Sequence, residues 1–320
     1  MAFENTAGQI EVKNMEFDDY ENLPTHDVGV HMMAGAAAGV LEHCVMYPVD
    51  CVKTRMQSLK PNPNAVYKGI YDGFRSIAIN EGRFTVFRGM NVVICGAAPA
   101  HALYFSCYES VRQSLGGKEP GHHPVANATA AVTATAIHDA AMTPVDAVKQ
   151  RLQIYKSPYR GAIHCIKEVY KSEGVKAFYR SYTTQLLMNI PFQCSHFLVY
   201  EYLRETLNPA RTYDPKTHVI AGAAAGAFAA SLTTPLDVAK TLLNTQEKSA
   251  LKLTSNRRYV TGIYGALKTI YSMRGIAGYF QGIKARIVFQ MPSTAICWSV
   301  YEFFKHFLLV SQASKKESLF

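Results

Sequence analysis

Nitrogen and oxygen donors recur at matching distances from a repeated proline motif. His43 and Asp139 each lie five residues before such a proline, and Glu42 and His138 each lie six before it. Ionisable groups within apolar helices mark ion paths. Imidazole and carboxylate together suit a borderline divalent cation such as ferrous iron, and they exclude manganese, cobalt, copper or zinc poorly. The spacing therefore predicts a path for a divalent cation.

Further donors extend this set along the same helices. His31 and His218 both lie 17 residues before a motif proline, and His101 lies two residues after Pro99. Thioethers add soft ligands at Met46, Met142, Met188 and Met291. No motif holds four ligands at fixed short spacing, so we expect a transported ion and no permanently bound metal or cofactor. Taken singly, each histidine is more typical of a hydrogen-bonded core residue.

The proline motif occurs three times. It reads PVDCVKTRMQ from Pro48, PVDAVKQRLQ from Pro144 and PLDVAKTLLN from Pro235, so the copies start 96 and 91 residues apart. Each copy carries an acid two residues after the proline and a lysine three further on. A period of this length is typical of a duplicated helix-pair module rather than of a short solenoid repeat.

Two long helices are predicted in each third of the chain. The first of each pair spans 28–57, 125–153 and 216–246, and the second spans 90–114, 184–207 and 284–310. Each contains a proline, which packed helices in a bundle tolerate. Small and polar residues interrupt every apolar run, which indicates helices that line a water-filled cavity.

A short amphipathic helix is predicted between the two long helices of each third. It opens on Gly69, Gly161 or Gly262, and a second glycine follows 13 residues later in every copy. Helices of this kind lie in a membrane interface. Their N-terminal N–H groups are free to bind an anionic headgroup.

Composition restricts the remaining classes of function. The chain has 320 residues, a formal charge of +9 and seven dispersed cysteines without a CxxC pair. That pattern argues against a disulfide framework and a zinc site. No nucleic-acid-binding motif, nucleotide loop or catalytic triad is present, so we expect neither a nucleic-acid partner nor an enzyme. The acidic segment 1–27 is unlike an arginine-rich transit peptide.

Together these motifs resemble the mitochondrial carrier family across residues 28–310. The likeness rests on three PxDxxK motifs, three helix ends reading YESVR, YEYLR and YEFFK, and two EG closures. It implies an all-α, six-span, three-fold pseudosymmetric barrel with three short matrix helices in the inner mitochondrial membrane. Such a barrel alternates access to one central site and acts as a monomer. The expected units are 28–117, 118–213 and 214–311, between tails 1–27 and 312–320.

Charged pairs at membrane depth are costly unless they are satisfied, and two rings satisfy them. An inner ring, implied to be the matrix gate, pairs Asp50 with Lys149, Asp146 with Lys240, and Asp237 with Lys53. An outer ring, implied to be the cytoplasmic gate, pairs Glu109 with Arg204, Glu201 with Lys305, and Glu302 with Arg112. The resemblance assigns Gln57 and Gln153 as braces beneath the inner ring. Asn244 holds the third brace position and is one methylene shorter.

The resemblance also selects positions that contact substrate and lipid. Substrate contacts fall at Gly96, Met188, Asn189 and Gln290. None of these is cationic, which argues against nucleotides and carboxylates because anions need fixed donors. Lipid contacts, with cardiolipin as the implied lipid, fall at Gly69, Arg88, Gly89, Gly161, Arg180, Gly262 and Gly282. Ser181 and Gln281 depart from the family's glycine and arginine, which is expected to weaken two headgroup sites.

A closer likeness, carried by GVLEHCVMYPVD, GAAPAHALYF, MNIPFQ and QMPSTAICWSVYEFFK, is to the iron-importing members of that family. It implies import of Fe²⁺ into the matrix for haem and iron–sulfur cluster synthesis. His43, His101 and His218 match the transport histidines of those members. The alternative is a carrier of a neutral or cationic organic solute, bound by Glu42 or Asp139 with aromatic neighbours.

Overall fold

The computed structural model describes residues 28–58, 67–116, 124–208, 215–246, 260–293 and 296. Every regular element within these ranges is helical. The acidic segment 1–27, the outer-ring residues Glu302 and Lys305, and the tail 312–320 lie outside the described residues. The expected all-α class is thus confirmed for the part of the chain described.

Long helices begin and end close to the predicted positions. They are α1 (Val28–Met56), α3 (Met90–Ser114), α4 (Pro124–Gln153), α6 (Tyr182–Leu207), α7 (Pro215–Thr245) and α9 (283–293). Pro48, Pro144 and Pro235 lie inside their helices, as expected for packed helices. The predicted continuation of α9 to residue 310 lies largely outside the described residues.

Short helices follow α1, α4 and α7, as the glycine spacing predicted. They are α2 (Ile70–Asn80), α5 (Ala162–Glu173) and α8 (Gly262–Arg274). The φ angles of Gly82, Gly174 and Gly275 are +100°, +76° and +63°. A side chain is strained at such angles. Glycine therefore allows each short helix to end here and to be followed by its own 3₁₀ segment.

Each short helix buries its apolar face against the proline-containing helix before it. Val52 and Ile77 share one buried core, Leu152 and Val169 share the second, and Leu243 and Ile270 share the third. Full burial of one such side chain contributes about 1.5–3 kcal/mol. Three similar cores therefore fix the inner ends of α1, α4 and α7, where the charged ring residues lie.

The long helices pack closely through small residues. Helix α3 packs against α1 and α4, and α6 packs against α7. A Cβ atom on Gly96 of α3 would lie 2.3 Å from Val145 Cγ2 of α4. Only glycine permits this approach.

Two described stretches, Arg83–Ser114 and Val219–Thr245, are long and apolar enough to cross a membrane by length and composition alone. The arrangement of six spans stays a prediction.

Candidate substrate site and its closing ion pairs

Three interhelical ion pairs join α1, α4 and α7 in a closed cycle. Lys149 Nζ lies 3.2 Å from Asp50 Oδ2, and Lys240 Nζ lies 2.6 Å from Asp146 Oδ2. The distance from Lys53 Nζ to Asp237 Oδ2 is 3.0 Å, which completes the cycle. These are the three pairs of the inner ring. The side chains of these acids are only 6–15% exposed, so a ring acid that lost all of its cationic partners would be an uncompensated buried charge.

Two glutamines brace this ring. Gln153 Nε2 donates to Asp50 Oδ2 at 3.1 Å and its oxygen accepts from Thr54 Oγ1 at 3.0 Å. Gln57 Nε2 donates to Asp237 Oδ2 at 2.6 Å. Its oxygen accepts from Thr241 Oγ1 at 2.9 Å. Each brace therefore satisfies a ring acid and a threonine on the neighbouring helix together.

The third interface, between α4 and α7, is built differently. Here the shorter side chain, Asn244, takes the glutamine position and the longer one, Gln150, takes the threonine position. Asn244 Nδ2 donates to Gln150 Oε1 at 3.0 Å, where the other interfaces pair a glutamine with a threonine. Asp146 is instead held by two lysines, with Lys149 Nζ 3.3 Å and Lys240 Nζ 2.6 Å away. The shorter Asn244 thus does not act as the family brace, as its length suggested.

A cavity of about 220 Å³ lies directly above the inner ring. Its wall beyond the ring includes His43, Val93, His138, Asp139, Met142, Gln185 and Phe289. The Phe289 ring lies over Lys53, with 5.4 Å from Nζ to the ring centroid. Two of the predicted histidines and the predicted acid therefore face the same space.

Three imidazoles form a row from α1 across α3 to α4. The ring centroids of His43 and His101 are 6.3 Å apart, and those of His101 and His138 are 5.1 Å apart. A Cβ atom on Gly39 would lie 2.2 Å from His101 Nε2, so a glycine is required for His101 to sit there. The Nε2 atoms of His101 and His138 are buried and find no hydrogen-bond partner among the described residues.

Asp139 is held between its neighbours on α4 and α6. Asn189 Nδ2 donates to Asp139 Oδ2 at 2.5 Å, and Gln185 Nε2 donates to Asn189 Oδ1 at 3.1 Å. His138 Nδ1 lies 3.5 Å from Asp139 Oδ1. Elsewhere in the bundle the Ser293 hydroxyl of α9 donates to the Glu42 carboxylate of α1. These contacts orient two carboxylates, one on α1 and one on α4.

Other predicted contact residues are placed less simply. Gly96 packs against Val145 on α4, so its close contact is to a neighbouring helix and not to the cavity. Gln290 is in a polar interaction on α9. His218 lies in the first turns of α7, and its side chain is outside the described residues. Within the described part of the chain, no three His, Cys, Asp or Glu side chains lie close enough to hold one metal ion together.

None of the predicted contact positions is cationic, but a buried arginine lies beside one of them. Arg286 Nη1 lies 2.6 Å from Asp237 Oδ2, and its Nη atoms lie 3.6 and 3.7 Å from Met188 Sδ. Arg286 lies six residues before Pro292. Val93 and Gln185, which line the cavity, lie six before Pro99 and Pro191. Counting from these prolines is the signal that would have found Arg286.

The outer-ring residues of α3 and α6 pair within their own helices. Arg112 lies 3.8 Å from Glu109, and Arg204 lies 3.1 Å from Glu201. The predicted interhelical pair of Glu109 with Arg204 is therefore wrong for this structure. Both pairs are partly exposed, so water screens these charges.

Sequence reasoning missed a second pair of charges in two of the three repeats. Arg55 pairs with Glu81 and donates from Nε to the Gln153 carbonyl at 2.7 Å. Arg151 likewise pairs with Glu173, and its Nε donates to the Asn244 carbonyl at 2.8 Å. Each arginine lies seven residues after the proline of its repeat. Each glutamate is the residue directly before the glycine at which the short helix ends. In the third repeat these positions are Leu242 and Arg274.

The predicted lipid elements keep their glycines, but their arginines are used inside the protein. The Arg88 guanidinium donates to the Tyr159 carbonyl, and Arg180 pairs with Glu173. Gln281, expected to weaken a headgroup site, donates to the Met56 and Ser58 carbonyls and so joins the third repeat to the first. Any headgroup contact must therefore come chiefly from backbone N–H groups, near Gly69, Gly89, Gly161, Gly262 and Gly282.

An apolar side chain is exposed two residues after the opening glycine of each short helix. Tyr71, Ile163 and Tyr264 are 81%, 71% and 77% exposed. Apolar side chains at one position of three short helices suit burial in a membrane interface.

Comparison with known proteins agrees with the three-part motif pattern. The family model described as mitochondrial carrier protein matches residues 24–119, 121–211 and 212–312. Mitoferrin-1 of Homo sapiens is 56% identical over 302 residues, which cover 93% of this chain and 89% of that protein. Mitoferrin-2 of Homo sapiens is 53% identical over 92% of this chain and 81% of its own length. Mitoferrin of Caenorhabditis briggsae is 50% identical over 91% of this chain and 96% of its own. This chain belongs to the mitochondrial carrier family.

Proposed function

We propose that this protein imports ferrous iron across the inner mitochondrial membrane, into the matrix, for haem and iron–sulfur cluster synthesis. In this account six spans form a three-fold barrel around one central site, and the inner and outer rings open alternately. The ion is the substrate and not a permanent cofactor. Relatives of this chain named mitoferrin support iron as that substrate.

The observation that carries the proposal is the imidazole row beside Asp139. His101 and His138 hold buried Nε2 atoms that find no hydrogen-bond partner among the described residues. A buried polar atom without a partner carries a free-energy cost, and a passing cation would remove it. Fe²⁺ accepts both imidazole nitrogen and carboxylate oxygen as ligands. No adjacent set of three acid, histidine or cysteine ligands exists among the described residues, which favours weak sequential contacts and easy release.

The ion pairs give alternating access a physical basis. The paired inner ring supports a site that is closed towards the matrix, and in the proposed cycle such a site is open towards the outer side. A ligand shifts such an equilibrium only by binding one state better than the other. We infer that Fe²⁺ reaches His43, His138 and Asp139 from the outer side, and that its binding compensates for breaking the inner ring. The ion is then released to the matrix.

Lipids are the expected partners of the short helices. Exposed apolar side chains on α2, α5 and α8 would lie in the inner-leaflet interface. The adjacent glycine-bounded N-termini would bind the phosphates of an anionic lipid such as cardiolipin. The protein is proposed to work as a monomer, because one barrel contains both rings and the whole site.

Binding is tested by the thermal stability of the purified protein in detergent. A ligand that binds only the folded state raises the unfolding temperature as its concentration exceeds the dissociation constant. Fe²⁺ kept reduced with ascorbate should raise it, Mn²⁺ and Zn²⁺ should do so less, and adenine nucleotides should have no effect. Stabilisation by a cationic amino-acid derivative, without any by Fe²⁺, would instead identify an organic-solute carrier.

A further inference from the structure

Arg286 connects three helices beside the inner ring. It lies on α9 and is 5% exposed. Its guanidinium pairs with Asp237 of α7 at 2.6 Å and donates to Thr233 Oγ1 at 2.7 Å. On its other side it donates to Met188 Sδ of α6 at 3.6 and 3.7 Å. One side chain thus contacts both a ring acid and a thioether at a predicted substrate position.

Asp237 is held more firmly than an ion pair alone requires. Lys53 Nζ is 3.0 Å from Asp237 Oδ2, Gln57 Nε2 is 2.6 Å away and Arg286 Nη1 is 2.6 Å away. Opening the inner ring between α1 and α7 must break the contact to Lys53. Arg286 helps to hold the Asp237 carboxylate in the orientation that meets Lys53 and Gln57, which favours the closed ring.

The contact from Arg286 to Met188 is the weakest of the set. A thioether is a weak hydrogen-bond acceptor, whereas the guanidinium remains charged in every protein environment. A borderline divalent cation bound by the same sulfur would occupy its lone pairs and repel the guanidinium. Displacement of Arg286 would also disturb its contact to Asp237, because both contacts use one rigid planar group.

The charges of the three repeats favour displacement of Arg286 by a bound cation. Repeats one and two carry Glu42 and Asp139 in the slots five or six residues before the proline, while repeat three carries Ala229 and Ala230 there. A cation is attracted by the two acids and meets Arg286 on the third side. The inner ring itself has equal numbers of acids and lysines, so Arg286 is a positive charge outside that balance.

We propose that Arg286 is a positioning residue that holds the inner ring shut until a divalent cation binds Met188. The cation at the thioether displaces the guanidinium, which loosens Asp237 and allows α1 and α7 to separate. This inference rests on the proposed function for the identity of the cation. The restraint on the ring does not depend on that identity and is tested without metal.

Four variants in proteoliposomes separate this role from a purely structural one. Arg286→Gln removes the charge. Arg286→Lys keeps a charge that can pair with Asp237, but this charge cannot contact Met188 Sδ at the same time. Met188→Leu removes the sulfur with little change of volume. The double variant combines Met188→Leu with Arg286→Gln. The measurements are proton leak into dye-loaded vesicles without metal, and the initial rate and KM of Fe²⁺ uptake.

Each variant has a distinct expected result. Arg286→Gln should leak about fivefold or more above the unchanged protein, the size of a typical coupling between sites, and should show a lower KM for Fe²⁺. Met188→Leu and Arg286→Lys should transport Fe²⁺ slowly and should show no increase in proton leak. In both variants a cation at position 286 still pairs with Asp237. The double variant should leak like Arg286→Gln, since the restraint lies downstream of the sulfur.

A buried arginine elsewhere supplies the control. Arg151→Gln removes a charge that is equally buried but contacts Glu173 instead of a ring acid. It should lower the unfolding temperature without changing the KM for Fe²⁺. A folded Arg286→Gln protein that stays tight with an unchanged KM, or a double variant that stays tight, would overturn the proposal. Unchanged protein that ignores Fe²⁺ while Arg286→Gln still leaks would count against iron as the substrate and not against the restraint on the ring.

Discussion

Individual donor atoms determine what the cavity can bind. His101 Nε2 and His138 Nε2 are buried without partners among the described residues, and Asp139 is oriented by Asn189. These atoms need no rearrangement of the backbone to meet an ion. They also explain why no single residue is expected to bind iron tightly, because a carrier must release its substrate.

Replacement of His43 or His101 by alanine should reduce Fe²⁺ uptake by about 10- to 100-fold, the usual loss when a metal environment is damaged. The protein should stay folded, since neither imidazole belongs to one of the apolar cores beneath the ring. Uptake of radiolabelled iron by proteoliposomes measures this effect. His164→Ala, on the short helix α5, is the matched control and should transport normally. Normal uptake by both cavity variants and by their double variant would exclude the imidazole row as the ion's route.

Residue spacing predicted some of these atoms and missed others. Distances from Pro48 and Pro144 identified His43, His138 and Asp139, because both repeats contain a donor at the same slot. Arg286 was missed because its equivalents are Val93 and Gln185, so no charged pattern repeats. Counting from the prolines could have located Arg286, but a residue unique to one repeat has no copy to indicate its role, which only its contacts in the fold disclose.

At the scale of elements, the three repeats join their long and short helices in two ways. Arg55 with Glu81 and Arg151 with Glu173 connect α1 to the chain after α2, and α4 to α5. The third repeat has Leu242 there, which is buried in an apolar core with Ile270. Helix limits and the short helices followed from periodicity and glycine spacing. The arginine pairs were also visible in the sequence, because arginine and glutamate occur together in two repeats and are both absent from the third.

The cluster around Glu173 should contribute to stability in a pH-dependent way. Burial alone would raise the pKa of Glu173, but hydrogen bonds and charges from Arg151 and Arg180 outweigh it and hold the pKa below its ordinary value. The contribution is therefore complete above the ordinary value of about 4.3 and is lost as the pH falls through the lower value in the folded state.

Glu173→Gln should lower the free energy of unfolding by about 2 kcal/mol at neutral pH, because two largely buried arginines lose their partner. Thermal unfolding in detergent checks this value. The difference from the unchanged protein should shrink as acid protonates Glu173. Glu168→Gln, exposed on the same helix, should have little effect. Equal losses in the two variants would contradict the role of the cluster.

The exchanged side chains at the third interface make a separate prediction. Asn244→Gln alone should destabilise the protein by about 1–3 kcal/mol, because it adds a methylene beside the buried Gln150. Adding Gln150→Thr should recover stability, since the pair would then match the glutamine–threonine pairs of the other interfaces. The unfolding temperatures of the single and double variants test this expectation. A double variant less stable than the single one would show that the three interfaces are not equivalent in shape.

At the scale of the whole molecule, the inner ring is closed, whereas the outer ring is described only at α3 and α6, because Glu302 and Lys305 lie outside the described residues. The inner ring is paired between helices, whereas the outer charges of α3 and α6 pair within helices. Sequence motifs predicted both sets of charged residues, and the structure forms the inner pairs. The motifs could not predict which ring is closed, because the same residues are present in both states and only the balance of their interaction energies differs.

Exchange of charges across the inner ring tests whether that ring closes the cavity. Asp146→Lys should place three cations near one another and abolish coupled uptake, with a metal-free leak. Adding Lys240→Asp should restore part of the uptake by remaking the pair in reverse. Recovery should be incomplete, because Lys149 also contacts position 146. Uptake and leak in the same vesicles measure both effects, and a double variant no better than the single one would argue against a closing role.

Transport of Fe²⁺ by the purified protein tests the central claim most directly. Proteoliposomes containing the unchanged chain should accumulate radiolabelled ferrous iron, and Mn²⁺ and Co²⁺ should compete while organic cations should not. Adenine nucleotides and carboxylates should neither compete nor be carried, since the imidazole row and two acids favour cations. Vesicles that exchange nucleotides, carboxylates or an organic cation and leave ferrous iron outside would contradict the account.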